Sequence, residues 1–328
     1  MRGTSYIMDL MTKLQSVFII IAALIGLALG YLTGFGDFSV HLIEPFLMVL
    51  LYFVFLSVDG KKFRDSFRNL KFTATAVAVN FIWTPIFSFI LGILFFRNVI
   101  DLQMGLMMLL VTPCTDWYLI FTGLAGGNVE LGASILPLNL LLQILLMPVY
   151  LLLFFGGSVQ YDMISTLLSI VGVLILPFLF SLLTKILEKR IPALRPSVAW
   201  LRNSGDNGQL LFLCLAVISM FASESKELFQ HPVLLLKMLI PLIIFFVVNL
   251  FLVQFLGSRM KFAYEDNIAL NFTTLARNSP LSLAIAVAAF PDRPLISLAL
   301  VIGPLIELPC LGIIAGILKK RTVAFFHR

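Results

Sequence analysis

MGLMMLLVTPCTDWYLIFTGLA (104–125) and NIALNFTTLARNSPLSLAIAVAAF (267–290) are the two stretches that decide how this chain is read. A bilayer core about 30 Å thick takes about 20 apolar residues of helix, and both stretches have that length. Both are interrupted at the middle, the first by Thr112-Pro113-Cys114-Thr115-Asp116-Trp117 and the second by Ala276-Arg277-Asn278-Ser279-Pro280. Proline deletes an amide donor and collides with the preceding turn. In lipid the freed backbone groups need partners from the protein or from a wet cavity, and polar residues gather at both breaks as such a cavity requires.

A single proline kink is ordinary in a packed membrane helix. A matched pair of breaks, each carrying a charge, points instead to a site, because charges at membrane depth are costly and mark substrate or ion pathways. Asp116 and Arg277 are the clearest such charges, one per break. If the helices cross there, the two side chains neutralise each other. The pair is then either a fixed structural salt bridge or a switchable one for which cargo or a proton competes.

The rest of the chain fits this reading. Of its 328 residues 60% are hydrophobic and 12% charged, and mean hydropathy is +1.04. That leaves too little polar surface to cover a water-soluble core. A soluble enzyme, a disordered chain and a disulfide scaffold are excluded together. Apolar runs of spanning length lie near 16–34, 38–58, 72–96, 104–125, 130–155, 163–185, 207–222, 233–256, 267–290 and 294–318. The first has no small-residue cleavage site after it and reads as an uncleaved span rather than a signal peptide. The net charge of +6 sits in short loops rather than on one patch, which argues against a nucleic-acid partner. With a cytoplasmic N-terminus, 18 of the 23 basic residues fall on the inside; only Arg97, Lys226 and Arg293 lie outside, and Lys237 and Arg277 lie within spans. This is the positive-inside pattern. Ten spans divide into 1–155 and 156–328, and five per half makes the second half enter from the opposite side. The expectation is an all-α polytopic membrane protein of ten transmembrane helices in two inverted five-helix repeats, set in the plasma membrane with both termini cytoplasmic. The breaks fall in the fourth helix of each half, where secondary transporters of this plan hold their substrate.

Other polar residues are weighed against that frame. Glu307, about halfway along the tenth span, is a candidate proton carrier; the alternative is a neutral side chain bonded to helix backbone. Glu44 beside Pro45 is a weaker candidate, while Glu130 and Lys237 reach the interface. Cys214 and Cys310 read as small hydrophobes. Cys114 differs because it follows a helix-breaking proline among polar groups, and a thiolate is the soft ligand that selects metalloids. Three scattered cysteines offer no disulfide framework and no metal-ligand spacing. Asn80, Trp83 and Pro85, with Asn139 and Gln143, read as interhelical glue. His41, His231 and His327 lie near span ends. Neither a nucleophile–base pair nor an HExxH spacing is present, so no enzyme activity and no cofactor are expected.

PCTDWYLIFTGLAGGNVELGASILPLNLLLQILLMPVYLLLF (113–154) resembles the fourth and fifth helices of the Acr3-type arsenite efflux permeases, a branch of the bile acid:sodium symporter superfamily. Cys114 stands eleven residues before Ala125, the spacing at which that branch places its arsenic-handling cysteine. LAGGNVEL (124–131) is similar to an element of the bile-acid branch. LSLAIAVAAF (281–290), GPLIELP (303–309) and VNFIWTP (79–85) resemble the ninth, tenth and third helices. The resemblance implies an inverted-repeat fold with a panel and a core and two crossing broken helices. It implies proton-coupled export of trivalent arsenic in one branch and sodium-coupled uptake of organic anions in the other. The chain departs from both patterns. Ser282 falls where the Acr3 branch carries an acid, that branch has no acid at the position of Asp116, Leu119 replaces an asparagine of the sodium site, and no glutamate stands near Leu275.

The residues and the resemblance together lead to an expected metalloid exporter that exchanges arsenite for protons. Cys114, Thr115, Asp116, Arg277, Asn278 and Ser279 would bind cargo, Asp116 and Glu307 would couple to protons, Pro113 and Pro280 would make the breaks, and Cys114 would be the metalloid ligand. The alternative is symport of a small organic anion with sodium or protons, its carboxylate received by Arg277.

Overall fold

A helix satisfies its own N–H and C=O groups, which hydrocarbon cannot do for it. Helices are accordingly the regular elements among the described residues, apart from one isolated bridge. The computed structural model describes residues 2–57, 69–114, 117–156, 163–203, 205–223 and 232–326, together with Ser225 and Phe229. In chain order the helices are α1 (Arg2–Thr33), α2 (Gly36–Ser57), α3 (Leu70–Ala78), α4 (Thr84–Phe96), α5 (Ile100–Leu110), α6 (Trp117–Leu124), α7 (Val129–Phe155), α8 (Met163–Arg190), α9 (Arg195–Asn203), α10 (Gly205–Ser223), α11 (Pro232–Arg259), α12 (Tyr264–Leu275), α13 (Ser279–Ala289) and α14 (Pro294–Phe326). Five described stretches are long and apolar enough to cross a bilayer unaided: Gly36–Leu56, Leu70–Phe96, Val129–Phe155, Leu236–Arg259 and Pro294–Lys319.

α3 and α4 are one continuous rod joined by a single π turn, Val79–Trp83. The sequence explains it. Pro85 has no N–H to return to Phe81, so that carbonyl is released. The Tyr150 hydroxyl of α7 donates to it at 2.7 Å, and the Thr84 hydroxyl donates to Val79 O at 2.8 Å. Such single-turn bulges gather at functional positions, and this one turns Asn80 inward to complete burial.

Two bundles pack together. In one, α2 lies against α10 and α8, and α1 lies against α10. In the other, α5 packs on α14 and α4, and α11 to α14 pack among themselves. Their outer faces carry apolar side chains such as Leu32, Leu94, Leu153 and Phe251, all strongly exposed, as a lipid-facing surface should be. Asn80, Asn139, Gln143, Asn271 and Thr273 are buried instead. Glycine sets the closeness of α5 and α14. A Cβ on Gly105 would stand 2.6 Å from that of Ala299, and one on Gly303 would stand 2.5 Å from Leu109 Cδ1. Small residues permit this backbone approach between membrane helices.

Candidate functional site

Four short helices build the centre of the second bundle. α5 ends at Leu110 and α6 begins at Trp117, while α12 ends at Leu275 and α13 begins at Ser279. At 1.5 Å per residue, none of the four is long enough to cross about 30 Å of hydrocarbon, so each pair must work as two halves of one crossing. The halves run antiparallel. Asp101 at the start of α5 pairs with Arg293 just past the end of α13. Past the end of α6, Gly126 closes the turn with a left-handed φ of 79°, the conformation glycine adopts without steric penalty. Asn128 there bonds Glu265 O at 2.9 Å through its backbone and Asp266 Oδ1 at 2.8 Å through its side chain, both at the start of α12.

The two breaks satisfy one another. Cys114 N donates to Ala276 O at 2.9 Å and Asn278 N donates to Thr112 O at 2.7 Å, which makes an antiparallel bridge of Pro113 with Arg277. Backbone freed by leaving the helix is therefore paired across the crossing, as an apolar surrounding demands. Side chains reinforce it. The hydroxyls of Thr112 and Ser282 lie 2.7 Å apart, Ser282 Oγ donates to Met108 O at 2.8 Å, and Thr112 Oγ1 donates to Met108 O at 3.0 Å. Asn278 starts α13 as a cap, its Oδ1 accepting from Leu281 N at 3.2 Å, the arrangement expected of asparagine ahead of a first-turn proline.

Arg277 is 3% exposed. Its guanidinium donates to Leu110 O at 2.7 Å, Leu275 O at 3.2 Å, Asn80 Oδ1 at 3.3 Å and Thr274 O. Leu110 ends α5 and Leu275 ends α12, so this one cation covers terminal carbonyls of two helices. The Phe245 ring lies 5.0 Å from the guanidinium carbon. The main-chain N–H of Arg277 donates to Glu307 Oε1 at 2.8 Å, which brings the buried carboxyl of α14 to the crossing.

Cys114, Arg277, Asn278, Ser279, Pro280, Pro304 and Glu307 line a cavity of about 40 Å³. Its opposite wall is Leu50 and Val54 of α2 with Gln209, Leu210 and Leu213 of α10, so the cavity lies between the two bundles. That volume holds roughly three waters. Ser279 Oγ and Gln209 Nε2 are buried there without a hydrogen-bond partner among the described residues.

Most of the site residues read from the sequence thus come together: Pro113, Cys114, Arg277, Asn278, Ser279, Pro280 and Glu307. Thr115 and Asp116 lie outside the described residues, as do His231 and His327 and the side chain of Glu44. Glu130 is exposed, away from the crossing, and so is Lys237. Sequence reasoning did not assign Thr112, Ser282, Gln209 or Phe245 to the site and left Asn80 as glue. A hydroxyl beside a break and a glutamine opening an apolar run were the available signals. Gln143 bonds nothing among the described residues, whereas Asn139 Nδ2 reaches Thr273 Oγ1 at 3.1 Å.

A model of the Sodium Bile acid symporter family matches residues 44–231, more than half of the chain. The chain belongs to that family. The Sodium Bile acid symporter family is one of membrane transporters, not of enzymes, and the apolar helices make this member a multi-pass membrane protein. The arsenical-resistance protein Acr3 of Corynebacterium glutamicum is 23% identical over 332 residues, covering 91% of this chain and 86% of the relative. An uncharacterized transporter of Synechocystis sp. is 22% identical over 352 residues, covering 98% of this chain and 91% of the relative. The protein YbaS of Bacillus subtilis is 26% identical over 255 residues, covering 77% and 80%. The resemblance read from the helix motifs is therefore correct at the level of the family and of its arsenical-resistance relatives. Ser282 Oγ donates to Met108 O and so ties α13 to α5, and among the described residues a buried acid, Glu307 of α14, reaches the crossing.

Proposed function

We propose that this chain is a secondary transporter of the plasma membrane that exports a small metalloid hydroxide, arsenite first, in exchange for protons. The observation that carries the reading is the cavity at the crossing. It is small, it is walled by both bundles, and it sets a cysteine beside a carboxyl and polar atoms that have no partner among the described residues. A site of that size suits a trivalent oxide of a few atoms better than a bulky organic anion. Cys114 is the soft ligand. Its thiol displaces one hydroxide of the cargo as water, forming an As–S bond that water reverses on release. Ser279 and Gln209 take the remaining hydroxyls, with Thr115 and Asp116 on the same break as further ligands. Glu307 holds the exchanged proton, Asp116 being the second acid available.

The arsenical-resistance relative supports this cargo. The antiparallel order of the half-helices supports the larger plan of ten helices in two inverted repeats, 1–155 and 156–328, with both termini cytoplasmic. In that plan the bundle of α1, α2, α8 and α10 rocks against the other and exposes the cavity to each side in turn. Arg277, the residue that would favour an organic anion with sodium, already spends four hydrogen bonds on protein oxygens.

Growth of an export-deficient strain on arsenite tests the reading. The wild-type gene restores growth, and Cys114→Ser does not. Equal growth of the two removes the cysteine from the mechanism, and no rescue by the wild type removes arsenite. In inverted vesicles an imposed pH gradient drives arsenite accumulation, and Glu307→Gln abolishes the response to the gradient.

A further inference from the structure

We propose that Arg277 is a tethered cation. Its guanidinium permanently fills a cation site made by the terminal carbonyls of α5 and α12, so that transport draws on no dissolved sodium at the crossing. Four oxygens from three elements converge on the group: Leu110 O, Thr274 O, Leu275 O and Asn80 Oδ1. All are hard donors, the kind that hold sodium or potassium. Half-helix carboxyl ends in membrane transporters are places where coupling cations are coordinated. Each such end carries roughly half a negative charge; two of them balance about one positive charge, which is what the guanidinium brings. The Phe245 ring at 5.0 Å adds its negative face. The π turn turns Asn80 to the same spot, where its Nδ2 also holds Thr273 O at 3.2 Å. The group is 3% exposed, so it is built into the crossing rather than reaching it from a surface.

A tethered ion cannot be released, and therefore cannot carry the energy of a sodium gradient. Cutting off the side chain leaves an oxygen-lined vacancy of the right charge for a small monovalent cation. The idea uses the transport reading above only for its rate measurement; the binding measurement needs no cargo.

The intact chain and its Arg277→Ala variant are purified in detergent. Thermal unfolding is followed at constant ionic strength with choline chloride, sodium chloride or choline plus millimolar guanidinium chloride. The wild type unfolds at the same temperature in all three, whereas Arg277→Ala is stabilised by sodium or by guanidinium, as a ligand bound only by the native state requires. In proteoliposomes the variant's arsenite flux rises about fivefold or more on adding the same cation, the lower range of coupling between two sites, and the wild-type flux does not change. Stabilisation of the wild type by sodium, or a variant indifferent to both cations, overturns the proposal. Should Arg277→Ala fail to purify in choline, the purification is run in sodium and in guanidinium; recovery of monodisperse protein only with a cation supports the site, and failure in every buffer sinks it. A wild type that moves no arsenite yet shows the unfolding pattern leaves the tethered cation standing and rejects the cargo.

Discussion

The two breaks are built for different purposes. At 276–278 the backbone leaves the helix and Arg277 at once closes what was opened, taking Leu275 O and Thr274 O on its own side and Leu110 O across the crossing. At 112–114 the main chain is answered from across the crossing, by Asn278 N and Ala276 O, and Cys114 lines the cavity. One break supplies its own cation and holds the crossing together. The other pairs its main chain across the crossing and sets Cys114 in the cavity wall. An interrupted membrane helix can thus be mended by a charge of its own or by hydroxyl and main-chain bonds, and the two breaks differ in which of these they carry.

If that contrast is real, substitutions at Arg277 damage the fold and substitutions at Cys114 damage only transport. The largest effect belongs to Arg277→Met in sodium-free buffer. Three carbonyls and one amide oxygen lose their donor, each worth about 1–3 kcal/mol when left buried and unpaired, so detergent-solubilised protein should lose several kcal/mol in thermal or denaturant unfolding. Retention of wild-type stability would contradict that role of Arg277. Next comes Gly303→Leu. Its new side chain meets Leu109 and Ser279, and overpacking of about 1–3 kcal/mol should lower the unfolding temperature and force α5 and α14 apart. Asn278→Ala removes the α13 cap and is expected to cost about 1 kcal/mol, with Asn278→Asp recovering part of it. The smallest change in stability is Cys114→Ser, within about 1 kcal/mol because the volume is nearly kept, and it is paired with complete loss of arsenite export. A Cys114→Ser protein that unfolds early but still exports would reverse the roles of the two breaks.

The helix content, five long apolar spans and the ends of α5 and α12 could be read in the sequence, because proline and charge inside an apolar run are local signals that lipid makes unmistakable. The family was legible for a related reason, since the motifs around Cys114 and 281–290 sit where the fold constrains the chain. The use of Arg277 was not. Sequence logic offered it Asp116, which lies outside the described residues, and could not foresee the carbonyl oxygens it also reaches, since backbone carries no letter in a sequence. The role of Asn80 was hidden for the same reason. Pro85 signals a disturbed turn, but which residue the π turn rotates inward depends on where Tyr150 of another helix can reach Phe81. The Thr112–Ser282 contact joins residues 170 apart, a distance across which no spacing rule speaks.

The paired crossing also has a consequence for biosynthesis. Thr112 and Asn278 are 166 residues apart in the chain, and the amide that answers the Thr112 carbonyl is made long after that carbonyl has left the ribosome. Until then the early half carries open main-chain polarity that hydrocarbon does not tolerate. Its first break must therefore wait in the insertion machinery or at a headgroup. The pairing of Thr112 O and Cys114 N is completed only once the segment 276–278 has been made, and a nascent chain cut short before it lacks those partners.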